Sequence, residues 1–156
     1  MFGRKKKRRS LLSPANGEIL PLEETGDEVF AGKMVGDGAA VRPSDGDIAS
    51  PCDGTVRNVA RTFHAYSIES DDGLDVLVHI GIDTVELGGE GFSPLVKNGD
   101  RVKAGQLICK ADLGLIANRG FSTVTPVVIS GGAPGLVPEF ERGKVKRGEE
   151  MLHYTA

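Results

Sequence analysis

Across residues 74–82 of the chain, Val76, Val78, Ile80 and Ile82 alternate with Asp75, Leu77, His79 and Gly81. A period of two is the mark of a β-strand with one buried face, so His79 is expected to point away from the core. The preceding "TFHAYSIE" is also strand-like, and the intervening "DDG" makes Asp72 and Gly73 the natural two-residue loop of a hairpin. With that loop Asp71 faces Leu74, Tyr66 faces His79, and His64 becomes the diagonal neighbour of His79 on a face shared with Thr62. Both imidazoles then emerge on one side. A loop with an odd number of residues would turn one arm over and separate the rings.

The same pattern, bounded by Gly, Pro, Asp or Asn, predicts short strands at 17–20, 28–30, 38–41, 54–60, 62–69, 74–82, 107–110, 124–129 and 151–154. Helical turns are expected only within "GFSPLVKNG" and "ADLGLIANRG". "SPANGEIL" at Ser13 is echoed by "SPCDGTVR" at Ser50, and "GDRVKAGQLI" at Gly99 by "RGKVKRGEEML" at Arg142. Two pairs of related turn-and-strand units predict an all-β fold with internal duplication, since stacked repeats need three copies or more. With 156 residues, 22 of them glycine and 8 proline, a single β-sandwich is expected over 13–156, preceded by a basic, disordered arm at 1–12.

Charge changes this picture at one end only. "RKKKRR" at 4–9 holds six of the nineteen basic residues and leaves 13 basic against 22 acidic ones elsewhere. An acidic body argues against nucleic acid as a partner, while the arm could make weak contact with anionic lipid at the inner face of a cell membrane. Cys52 and Cys109 are far apart and belong to no C-x-x-C pair, which suits a reducing cytoplasm rather than a disulfide framework. No apolar run approaches the roughly 20 residues that span a bilayer.

The chain has three histidines, and two lie on this hairpin. A neutral imidazole is a nucleophile near pH 7, and its reactive nitrogen is set when the other donates a hydrogen bond. A second imidazole beside it could donate to the oxygens of a phosphoryl group in transit, and Thr62 could orient His64. A serine triad is disfavoured by the lack of a G-x-S-x-G elbow, and "GDGAAVRPSDG" lacks the Gly-Lys-Ser/Thr ending of a phosphate-binding loop. Zinc held by His64, His79 and Asp83 is a weaker alternative, and a zinc site completed by a partner's carboxylate stays open.

The stretches "VFAGKMVGDG", "ASPCDGTV", "HAYSIES", "LVHIGIDTVEL", "GEGF" and "STVTPVVIS" together resemble the glucose-type enzyme IIA proteins of the bacterial sugar phosphotransferase system. The resemblance runs from about Ser13 to Ser130. It implies an antiparallel β-sandwich and a phosphocarrier that takes a phosphoryl group from the histidine protein HPr and passes it to an enzyme IIB cysteine. It also implies that His79 is the phosphorylated nucleophile, with its Nδ1 proton on the carbonyl of Gly81. His64 is then the phosphoryl stabiliser and Thr62 the hydroxyl that orients it. An apolar docking rim maps onto Val29, Phe30, Met34, Val35, Leu77 and Val85, with Asp83 beside it. No cofactor is required for such a carrier. The alternative is a regulatory module whose apolar face docks onto permeases or metabolic enzymes according to its phosphorylation state.

Overall fold

The computed structural model describes residues 7–155. Thirteen strands run β1 Arg8–Leu12, β2 Gly17–Leu20, β3 Asp37–Pro43, β4 Asp47–Ala49, β5 Gly54–Val59, β6 Ala65–Ser70, β7 Asp75–His79, β8 Phe92–Pro94, β9 Arg101–Val102, β10 Leu107–Ala111, β11 Thr125–Gly131, β12 Gly143–Val145 and β13 Glu150–Thr155. They form one sheet of eight strands in the order β12-β2-β3-β11-β7-β6-β5-β9 and two small sheets, β4-β10-β8 and β1-β13. Every pairing is antiparallel. The expected antiparallel β-sandwich is what the chain forms.

The main core unites Val76, Val78, Ile80, Tyr66, Ile68, Val127 and Ile129 of the large sheet with Leu11, Leu152, Ile48, Ile108 and Phe92 of the small ones. The other face of the large sheet is not simply wet. Ala40, Val128 and Leu77 pack there with Leu20 at the end of β2, Leu22 of a 3-10 turn at Leu22–Glu24 and Phe30 of a helix, α1, at Glu28–Ala31. The middle strands are thus covered on both faces, which explains the near-continuous apolar runs of β3 and β11.

The internal echo is structural. Ser13 and Ser50 each turn the hydroxyl onto the carbonyl two residues on, at 2.7 Å in both units. Each serine carbonyl accepts from a glycine N–H, Gly148 at 3.0 Å and Gly105 at 2.9 Å. Those glycines have φ of 86° and 87°, a left-handed turn position that a side chain would strain. β12 then lies against β2 as β9 lies against β5. One motif, used twice, builds both edges of the large sheet.

Several expectations need correction. Residues 28–30 are helical, because the Asp27 carboxylate caps the chain by accepting from Val29 N–H at 2.8 Å. "GFSPLVKNG" contains β8 rather than a helical turn, whereas "ADLGLIANRG" does hold a helix, α2, at Leu113–Asn118. Part of the expected arm is ordered within the domain: Arg8–Leu12 is a strand on β13, with Leu11 fully buried. Arg8 pairs with Glu150 and Arg9 with Asp72, so those two charges meet acidic partners within the domain. Residues 1–6 of the predicted arm lie outside the described residues. Among the described residues no helix is long and apolar enough to cross a membrane.

Candidate functional site

The β6-β7 hairpin is registered one residue away from the expectation. Glu69 faces Asp75, Tyr66 faces Val78 and Ala65 faces His79, while Gly73 N–H bonds the Ser70 carbonyl and Ser70 N–H the Leu74 carbonyl. Asp71, Asp72 and Gly73 therefore form a three-residue loop. By strand alternation such a loop should part the two histidines, yet their ring centroids are 4.8 Å apart at an interplanar angle of 81°.

The reason is that His64 is not in the strand. The expected strand at 62–69 begins only at Ala65, and Thr62, Phe63 and His64 belong to the turn that enters it. Phe63 is left-handed, with φ of 59°, and its N–H bonds the Ala60 carbonyl. Beyond that residue the alternation of faces no longer applies. The last ladder bond runs from Ile80 N–H to the His64 carbonyl at 2.7 Å. Thr62 and Tyr66 do not share a face either: Tyr66 is fully buried in the main core.

His79 closes β7 and projects onto the covered second face, where the Phe30 ring lies edge-on at 5.0 Å. His64 is buried, with Phe92 at 6.5 Å on its far side. Each ring is held at Nδ1. The His79 Nδ1 lies 2.7 Å from the Gly81 carbonyl oxygen, an acceptor only, so Nδ1 carries the proton and Nε2 the lone pair. The His64 Nδ1 lies 2.7 Å from the Thr62 hydroxyl. If that hydroxyl donates, the proton of His64 sits on Nε2. One ring then presents a lone pair and its neighbour a hydrogen-bond donor.

Burial keeps both rings neutral at pH 7. It pushes His64 down to about 4, helped by the adjacent His79. Burial also lowers His79, opposed by the Gly81 bond and the negative charges of Asp27 and Asp83. A neutral imidazole keeps its nucleophilic lone pair, so the environment favours the reactive form.

The predicted rim divides. Val29, Met34 and Val85 are exposed, Met34 by 76%, and Val35 and Leu77 are half-buried against the second cluster. Phe30 is a correction: at 5% exposure it is the floor under His79 and not a docking contact. Asp83 is exposed and left-handed, with φ of 59°. Phe63, 36% exposed beside His64, was missed because its segment reads as strand, and only its left-handed backbone brings the ring to the surface. Among the described residues no three His, Cys, Asp or Glu side chains converge to hold a metal, so the His64, His79 and Asp83 zinc set is not assembled. His153 lies apart, bonded to Glu139 at 2.9 Å.

The sequence model of the phosphoenolpyruvate-dependent sugar phosphotransferase system EIIA 1 family matches residues 9–133, a span holding every residue of this site. The chain belongs to that family. The glucose-specific EIIA component of Oceanobacillus iheyensis is 46% identical over 127 residues, covering 81% of this chain and 77% of that one. The glucose-specific EIICBA component of Staphylococcus saprophyticus is 50% identical over 121 residues, covering 78% of this chain. This EIIA chain matches only 18% of that longer protein's length and 20% of a glucoside-specific EIICBA component from Staphylococcus carnosus. Among solved structures, the glucose permease IIA of Mycoplasma capricolum superposes with a TM-score of 0.88 at 34% identity, covering 94% of this chain and 96% of that one.

Proposed function

We propose that this EIIA chain is a phosphocarrier for sugar uptake, with His79 as the group that carries the phosphoryl. The observation that supports it most is the tethering of both rings at Nδ1 with their centroids 4.8 Å apart. That arrangement occupies Nδ1 of each ring and leaves Nε2 of two neighbouring rings for chemistry, one able to attack phosphorus and the other able to donate to its oxygens.

In the acceptance step the His79 Nε2 lone pair forms a bond to phosphorus as the N–P bond of a donor phosphohistidine breaks. The donor imidazole leaves with that electron pair. Nothing is oxidised, and the proton stays on Nδ1, donated to the Gly81 carbonyl oxygen, throughout. Developing positive charge on the ring is eased by that carbonyl and by Asp27 and Asp83. The His64 N–H meets the phosphoryl oxygens, and one preorganised donor of this kind is worth about 3 kcal/mol in a dry site. In the second step a partner thiolate attacks phosphorus and His79 leaves with the N–P electrons. The donor we assign is HPr and the acceptor an enzyme IIB cysteine, and fusion of the EIIA, EIIB and EIIC components in the staphylococcal relatives supports the latter. Phe63 is next to His64 in the chain and Val29 next to Phe30, the ring against His79; with the exposed Met34 and Val85 we assign them to the surface that a partner would seal against water. A zinc ion would find two nitrogens here and would need a partner's carboxylate to complete its set.

Intact mass after incubation with phosphoenolpyruvate, enzyme I and HPr tests the reading. The wild type should gain one phosphoryl group, His79→Ala none, and His64→Gln a group that forms but is not passed to enzyme IIB. A fully labelled His79→Ala protein would defeat the assignment.

A further inference from the structure

The tautomer of His79 depends on where the Gly81 carbonyl points, and that carbonyl sits in a turn of unusual backbone. Gly81 has φ of 80° and Asp83 φ of 59°, both left-handed. Two peptide planes meet at Gly81, and each is tied by a hydrogen bond to a residue other than His79. The Ile82 N–H, in the same plane as the Gly81 carbonyl, bonds the Ser122 carbonyl at 3.1 Å. The Ile80 carbonyl, in the preceding plane, accepts from the Thr84 hydroxyl at 2.6 Å.

Thr84 is fully buried and its methyl also supports the turn. A β-carbon added to Gly81 would lie 2.5 Å from the Thr84 Cγ2 and 2.8 Å from the Ser122 carbonyl oxygen. The Gly81 backbone is therefore wedged between Thr84 and the chain before β11, while the Thr84 hydroxyl holds the plane on its N-terminal side. With both planes fixed, the φ and ψ of Gly81 have little room to move.

We infer that Thr84 is a positioning residue for His79: by holding the Ile80 carbonyl it aims the Gly81 carbonyl at Nδ1 and so keeps Nε2 bare. The consequence for phosphoryl acceptance rests on the phosphocarrier reading above, whereas the effect on the tautomer does not. Ser122 contributes only backbone atoms to this arrangement, so Thr84 is the side chain through which it can be altered. Removing the hydroxyl leaves a buried carbonyl without its donor, and the turn must shift to satisfy it.

The test is nitrogen-15 NMR of the imidazole rings at pH 7.5 in the full chain, for wild type, Thr84→Val, Thr84→Ala and Thr84→Ser. The wild type should show His79 protonated at Nδ1 alone. Thr84→Val, which keeps the shape and loses the hydroxyl, should show His79 exchanging between tautomers while the His64 signals stay fixed. Thr84→Ser should keep the wild-type His79 pattern. Acceptance from phospho-HPr should slow about tenfold in Thr84→Val and recover in Thr84→Ser, the lower end of what losing an outer group behind a metal-ligating histidine costs. If Thr84→Val does not fold, Thr84→Ala and Thr84→Ser decide, since they differ by one oxygen. The same His79 tautomer in the presence and absence of the hydroxyl overturns the inference. A wild type with the expected tautomer but no phosphoryl uptake counts against the phosphocarrier reading and leaves Thr84 in its role.

Discussion

Acidification from pH 7.5 to pH 5 will weaken the fold through His64. Its pKa lies at about 4 in the folded chain, against about 6.5 for an unfolded histidine. Between those values the unfolded chain binds a proton that the folded chain excludes, so stability rises with pH across the window. The contribution is complete above about pH 6.5 and is lost as pH falls towards 4. At pH 5 the loss is about 2 kcal/mol, and the limit below pH 4 is about 3 kcal/mol. The residue is only 7% exposed, so solvent does little to relieve the cost. His79 is displaced in the same direction and adds to the slope. The carboxylates lowered by their partners, Asp45 and Glu150 among them, act with the same sign but only below about pH 4.5. The interval from 6.5 to 5 therefore reports mainly on the histidine pair. Urea unfolding at pH 7.5, 6.5, 5.5 and 5.0 measures it, with His64→Gln as the control that removes the proton site. The wild type should lose stability steadily, whereas the variant should keep only the smaller slope that His79 supplies. Parallel curves for the two proteins would show that burial of His64 does not keep it neutral, and the reasoning would fail.

Three further outcomes follow from burial and position. Leu11→Ala, in the first strand, should cost about 2–5 kcal/mol in urea unfolding, as for other large core deletions, whereas a residue in a free arm would cost nothing measurable. Phe30→Ala should cost about 3 kcal/mol in thermal unfolding, because the second cluster is small, and should broaden the His79 ring signals that the phenyl edge now confines. Met34→Asp, at a residue 76% exposed, should leave the unfolding free energy in urea within about 0.5 kcal/mol of wild type yet slow transfer from phospho-HPr. Normal transfer in that variant would remove Met34 from the docking surface.

What the amino-acid order determined by itself was local and compositional. Alternation along Val76, Val78 and Ile80 fixed which side of β7 meets the main core, and so which side carries His79. The Ser-Pro and Val-Lys-x-Gly echoes announced a duplication whose two copies make matching hydrogen bonds at Ser13 and Ser50. The helical turn expected within "ADLGLIANRG" is α2, and it was legible because its cap is local: the Asp112 carboxylate accepts from Leu115 N–H in the next turn of the same chain.

The tertiary structure decided what depends on long-range contact. Whether residues 28–30 become strand or helix turned on the packing of Phe30 with Ala40 and Val128, to which the local Asp27 cap adds. Whether Arg8–Leu12 is arm or strand turned on β13, more than a hundred residues away, which offers an open edge and a core site for Leu11. The meeting of the two histidines was expected for a reason that does not hold. Loop parity would have kept them apart, and the left-handed turn at Phe63 brings His64 round the end of the sheet. A regular strand transmits a face from residue to residue by its repeat, and one residue with positive φ ends that transmission, so the outcome passes from sequence pattern to the packing around the turn.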